Sequence, residues 1–388
     1  MTEPTASETA TAPRRTALSG EHAALGATFT DFGGWDMPLR YGSELSEHRA
    51  VREAAGLFDL SHMGEVWVEG PEAGTALNTA LVGEFSGLAA GRAKYSLICE
   101  EDGGIVDDLI VYRETETRFL VVPNAGNAGT VAALLAERVA GLDAEVRDVS
   151  AETSLVAVQG PAAERILLDV VVPRQRETVS GLRSYAWATV TLADPAGDAI
   201  EVRLARTGYT GEDGFELFVP NEHAVPLWGL LRAAGAPHGM IPAGLAARDS
   251  LRLEAGMPLY GNELSREVTP FEAGLGRVVS FGKEECFAGR EALEARRDAG
   301  PDSVLVGLSG SGRRAARAGY AVLAEGRTVG RVTSGLPSPT LGHPIAFAYV
   351  EPALAEPGTR VEVDLRGKAE PFEVVATPFT RRPAPASA

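Results

Sequence analysis

Apolar and polar positions follow a regular order through the first half of the chain. Residues 65–69 alternate with the twofold period of a strand, and 72–81 carry apolar positions at helical spacing. Strand-like runs follow at 94–99, 105–112 and 118–122, then a helix at about 127–139 and a strand at 145–149. Strand, helix, three strands, helix, strand predicts a ferredoxin-like split βαβ unit with one extra strand. Before it, residues 43–55 read as a helix: Ser43 offers a cap, acids crowd the first turn and Gly56 stops it. Residues 32–39 read as a glycine-broken aromatic loop, and 57–64 as a connector.

After this unit, strands are expected at 154–158, 185–192 and 200–205, a helix at 163–170 and a turn at 194–197. A glycine-rich loop, 206–214, leads into a strand ending at Val219. Pro242, Ala243 and Gly244 open a helix that runs through Glu254 and stops at Gly256. Arg248 and Arg252 are one turn apart on it and should share a face. Past residue 300 the texture changes to short β-prone runs between Gly and Pro turns, the pattern of a small all-β barrel or sandwich. Residues 334–340 read as a rigid loop.

One stretch breaks its own pattern. Glu101-Asp102-Gly103-Gly104 is a turn, and Ile105-Val106-Asp107-Asp108-Leu109-Ile110-Val111-Tyr112 is a strand of branched residues interrupted by two acids. Neighbouring strand residues point to opposite faces, so one acid can meet solvent while the other needs a partner or a ligand. A hairpin edge with both acids in water is the plainer alternative.

Composition narrows the function. The chain has 388 residues, 45% hydrophobic and 23% charged, enough for two or three domains with sizeable cores. A net charge of -17 argues against broad nucleic-acid binding and against docking on anionic membranes. Arg296-Arg297 and Arg313, Arg314 and Arg317 are the candidate basic patches, with solvated faces the simpler reading. Cys99 and Cys286 stand far apart, so neither a disulfide framework nor a zinc site is expected, which fits a reducing compartment. No apolar run reaches membrane-helix length, and the first residues lack a signal core. A cytoplasmic protein with tails at both ends is the expectation. There is no His-Glu-x-x-His, no Gly-x-Ser-x-Gly, no dinucleotide fingerprint and no phosphate loop. What remains is an odd strand carboxylate, two glycine-rich loops with acids and an arginine pair. Glu216 and Arg248 could bind a ligand or simply pair with each other.

Six segments in order then resemble one family. They are Phe32-Gly33-Gly34-Trp35-Asp36-Met37-Pro38, Asp59-Leu60-Ser61-His62-Met63, the 103–110 strand, Thr207-Gly208-Tyr209-Thr210-Gly211-Glu212, the 244–256 helix, and 333–342 with its Ser-Gly-Leu-Pro-Ser-Pro-Thr core. The sequence is similar to the T-protein of the glycine cleavage system, an aminomethyltransferase, from about His22 to Arg381. The resemblance implies an α+β, three-domain cloverleaf around a central folate cavity. Its expected parts are a tail (1–17), a folate-binding α+β domain (18–60 with 150–280), a ferredoxin-like domain (61–149) and a C-terminal β-barrel or jelly-roll domain (300–381). It implies transfer of an aminomethyl carbon from the lipoyl arm of H-protein to tetrahydrofolate, with no metal, nucleic acid or membrane. It implies Asp107 as the essential carboxylate beside N10 of the folate, with Asp108 facing away. Glu216 and Arg248 would hold the pterin, and Met63, Tyr95, Asn124 and Tyr209 would line its pocket. A folate-dependent demethylase and a folate-binding iron–sulfur assembly factor share the fold. The assembly factor's Lys-Gly-Cys-Tyr-x-Gly-Gln-Glu signature is echoed weakly at Cys286-Phe287-Ala288-Gly289-Arg290-Glu291, without the preceding Lys-Gly.

Overall fold

The computed structural model describes residues 12–193 and 199–380. Two sheets lie against each other, and a barrel closes the chain. The first sheet has five strands in the order Ala93–Cys99, Ile105–Thr115, Arg118–Pro123, Val66–Glu69, Glu145–Asp148. Helices Ala73–Ala80 and Ala128–Arg138 cover its outer face through Val66, Val111, Phe119, Leu77 and Leu135. The second sheet has six strands in the order Trp187–Ala193, Ala199–Ala205, Gly214–Pro220, Thr153–Gln159, Gly56–Asp59, Ile241–Pro242. Helices Ala163–Val170 and Ala224–Gly235 cover its outer face through Ile166, Leu167, Leu227 and Trp228. The two inner faces share one core of Trp67, Tyr112, Leu120, Phe58, Leu155, Trp187 and Phe218. Burying each such large side chain contributes about 1.5–3 kcal/mol.

The alternation read over 65–149 matches the observed order of strands and helices there. Elsewhere, burial on both faces hides the pattern. The expected connector 57–64 overlaps an interior strand, Gly56–Asp59, with every residue buried. A strand covered on both sides is apolar throughout and shows no period of two. Its partner, Thr153–Gln159, lies far along the chain. The expected aromatic loop is a hairpin, Thr28–Phe32 with Trp35–Arg40, turning on Gly33 and Gly34 at φ +59° and +80°. Helices Ser19–Ala24, Ala224–Gly235 and Arg290–Ala299 were not legible in the sequence. Arg296 and Arg297 lie on the last of these and pair with Glu272, Asp302 and Asp298, so that basic run is a solvated helix face.

The expected N-terminal tail is partly fastened. Arg14 exchanges backbone hydrogen bonds with Gly34 and Asp36, and the Thr16 hydroxyl donates to Asp59 at 2.7 Å. Residues 1–11, the 194–197 turn and the tail beyond residue 380 lie outside the described residues.

Six strands from Val304–Gly310 to Ala369–Val375 close into the C-terminal barrel. Its longest strand, Arg327–Pro337, takes up the first half of the segment read as a rigid loop. Helix Leu245–Glu254 is wedged between sandwich and barrel. Ala247 and Leu251 enter the inter-sheet core, whereas Leu253 packs on Ile345 and Phe347 of the barrel. Among the described residues no helix is long and apolar enough to cross a membrane.

Candidate active site

The site gathers where the inner faces of the two sheets meet helix Leu245–Glu254. The helix start is fixed by one buried carboxylate. Glu47 accepts the N–H groups of Tyr41 and Gly42 on one oxygen and of Gly244 on the other, at 2.8, 3.0 and 3.0 Å. Gly244 is required there, because a Cβ would lie 2.3 Å from the carbonyl oxygen of Leu39. One turn on, the Arg248 guanidinium lies 4.4 Å over the Tyr209 ring. The Tyr209 hydroxyl donates to the carbonyl of Pro258, which holds the ring in place.

Arg248 and Arg252 do not share a task. Arg252 is buried and donates to Glu263, Asp249 and Ser334, so its charge serves the barrel interface. Arg248 makes no hydrogen bond or ion pair to the described residues. Burial pulls its guanidinium below the usual range, and Tyr209 and Glu216 oppose that. Glu216 and Arg248 feel each other's charge, yet they are not an ion pair. Glu216 instead accepts the Tyr112 and Thr207 hydroxyls on Oε2. Its Oε1 has no partner among the described residues. Burial raises the Glu216 carboxyl, with the Thr207 bond and Arg248 acting the other way. Unspent donors and an unspent acceptor oxygen around one aromatic face suit a flat heterocycle with both kinds of edge.

The acid doublet differs from expectation. Asp107 was expected to enter the cavity and Asp108 to turn away. Asp107 has no exposed surface, whereas Asp108 is partly exposed. Strand alternation explains it. Asp107, Leu109 and Val111 face the outer helices, while Asp108, Ile110 and Tyr112 face the inner core and Glu216. Asp108 accepts from the Tyr95 hydroxyl at 3.1 Å and the Asn124 amide at 2.8 Å. Its neighbours include the charge of Arg248. Burial raises Asp108, and the Tyr95 and Asn124 bonds restrain it. Asp107 is pushed up to about 7 by burial and by Asp108, and the bonds from Asn127 and Asn124 restrain it.

Tyr95 and Asn124 therefore meet at Asp108, and Tyr209 meets Arg248. Met63 packs with Ile110 against the inter-sheet core. Arg248 and Tyr209 also line a cavity of about 850 Å³ between the N-terminal hairpin, the Leu245–Glu254 helix and the barrel loop at 336–342. Tyr112, Thr207 and Asn127 were not singled out from the sequence. The spacing 108, 110, 112 was the available signal, because a tyrosine ending that face shares its side with Asp108. His62, inside a family motif, is buried edge-on to Phe32, and its ring nitrogens have no partner among the described residues. Burial and Arg248 hold it down to about 3, so it is a neutral core imidazole.

Residues 18–283 match the GCVT N-terminal domain, and 304–380 match the glycine cleavage T-protein C-terminal barrel domain. A curated aminomethyltransferase from Streptomyces coelicolor is 59% identical, over 95% of this chain and 98% of its own. One from Geobacillus kaustophilus is 45% identical over 95% and 99%. The crystal structure of glycine cleavage system aminomethyltransferase T from Bartonella henselae superposes with a TM-score of 0.84 at 37% identity, covering 95% of this chain and 98% of its own. With both domains matched in order and relatives aligned end to end, the chain belongs to the aminomethyltransferase, or T-protein, family of the glycine cleavage system.

Proposed function

We propose that the chain takes the aminomethyl group from the lipoyl arm of H-protein and transfers its carbon to tetrahydrofolate, giving 5,10-methylenetetrahydrofolate, ammonia and the reduced arm. New bonds form from the carbon to N5 and N10, while its bonds to sulfur and to the amine nitrogen break. The two N–H protons of the folate end on the released thiol and the ammonia. The observation that carries this reading is the convergence of Arg248 and Glu216, both with unspent hydrogen-bonding groups, beside the partly exposed Asp108.

In this reading Glu216 accepts from the donor edge of the pterin and Arg248 donates to its acceptor atoms. Asp108, rather than Asp107, faces the positively charged carbon that develops as sulfur and nitrogen exchange partners. A fixed carboxylate there contributes about 3–4 kcal/mol to the transition state. It also receives the N10 proton, a step worth about 10²–10⁴-fold, and its raised basicity suits that role. Met63 and Tyr95 line the approach. The test is ammonia release from aminomethyl-loaded H-protein, with and without tetrahydrofolate. A large folate-dependent acceleration is expected, and its absence would reject the reading.

A further inference from the structure

We propose that Asp107 is a positioning residue, which acts through the side-chain amide of Asn124 to fix the direction in which Asp108 presents its carboxylate. This rests on the reading of Asp108 given above. The geometry is specific. Asn124 Nδ2 lies 2.9 Å from Asp107 Oδ1, 2.8 Å from Asp108 Oδ1 and 3.0 Å from the Asp108 carbonyl oxygen. With two N–H bonds available, one serves Asp107 and the other is shared by the two oxygens of Asp108.

Asp107 is itself locked. Its Oδ2 accepts the Asn124 backbone N–H at 2.9 Å, and its Oδ1 accepts the Asn127 amide at 2.7 Å. Asn127 is anchored in turn to the Val106 carbonyl at 3.2 Å. Asp107 has no exposed surface, so it cannot touch a substrate. It does something else. A carboxamide can present either its oxygen or its NH₂ to a neighbour by turning over. Asp107 Oδ1 accepts from both side-chain amides, so it obliges Asn124 to turn its NH₂ inward, toward both acids. Without that constraint the amide oxygen can face Asp108, repel it and let it swing. The charged and titratable groups around the pair are Tyr95, Arg248 and Tyr209 beside Asp108, and Tyr260 beside both acids. Among the described residues no cation is bonded to Asp107, so the constraint comes from amide donors.

The test compares Asp107→Asn with wild type. The new amide places a donor against donors and removes the lock. A misdirected reacting group is expected to lower kcat by about 10²-fold. The tetrahydrofolate dissociation constant is expected to change by less than about threefold, because Glu216 and Arg248 are untouched. Wild-type kcat, or a fall in folding stability alone, would overturn the proposal. If Asp107→Asn does not fold, Asn127→Ala removes one donor to Asp107 and none to Asp108. A several-fold loss of kcat at constant folate affinity then supports the proposal, and unchanged kcat overturns it. The Asn124 side-chain ¹⁵NH₂ resonances read the lock without turnover. A shift of those resonances in Asp107→Asn supports the positioning role even if the transfer reaction fails, and unmoved resonances reject it.

Discussion

Two buried carboxylate sites meet at the middle of this molecule and are stabilised in opposite ways. Glu254, at the end of the helix that carries Arg248, accepts from Arg52 at 2.8 Å, Ser338 at 2.5 Å, and the Thr340 hydroxyl and backbone N–H at 2.7 and 3.0 Å. His48 stands 3.3 Å away. Burial would raise its carboxyl, but His48, Ser338 and Arg52 outweigh that and bring it down to about 2. The Asp107–Asp108 pair has amides and a phenol in place of cations, and both acids are raised. The difference teaches that burial alone does not set a carboxylate's charge; the bonded partners do. The first site is neutralised internally and ties helix to barrel. In the proposed function the second keeps its basicity for a ligand.

The sharpest way to break the comparison is Asp108→Asn. Removing the carboxylate proposed to react should lower kcat by roughly 10³-fold or more while the circular dichroism spectrum stays unchanged. Similar catalytic losses from Glu254→Gln with stability unchanged would show the two sites had been confused. Glu254→Gln should instead destabilise the fold by about 3 kcal/mol, because Arg52 loses its buried counter-charge, and denaturant titration measures it.

The two sites should also slope oppositely with pH. Glu254 falls to about 2 in the folded chain, below its unfolded value of about 4.3, so its stabilisation is present above that value and is lost as pH falls toward 2. Asp107 rises to about 7 from an unfolded value of about 3.9, so the folded state binds the extra proton and stability declines as pH rises between those values. Denaturation at a series of pH values should show Asp107→Asn flattening the upper window and Glu254→Gln flattening the lower one. The smallest expected effect lies outside both sites. Glu65 is fully buried, neither oxygen has a partner among the described residues, and burial, with a smaller contribution from Asp148, raises it well above the usual range. Glu65→Met should raise stability by about 1 kcal/mol in the same titration, because an apolar group of similar length removes an unsatisfied one.

Legibility in the sequence followed how local each feature is. The 65–149 unit could be read because its strands and helices follow one another and the sheet's outer helices leave alternating patterns. Gly56–Asp59 could not, since it pairs with a strand distant in the chain and is buried on both faces. Glu216, Arg248, Tyr95, Asn124 and Tyr209 were reached through the family resemblance. The orientation of the doublet was not, because two adjacent acids look alike until the covering of each face is known.

By itself the sequence determined that a strand would carry two acids behind a glycine turn, that a small all-β barrel or sandwich would close the chain, and which family the chain joins. Turn chemistry, side-chain period and motif order are properties of neighbouring residues, and they survive without a fold. Tertiary structure decided that Asp108 opens toward Arg248 while Asp107 is sealed behind Asn124 and Asn127. A strand has two faces, and only the elements packed against each one make one face a core and the other a site.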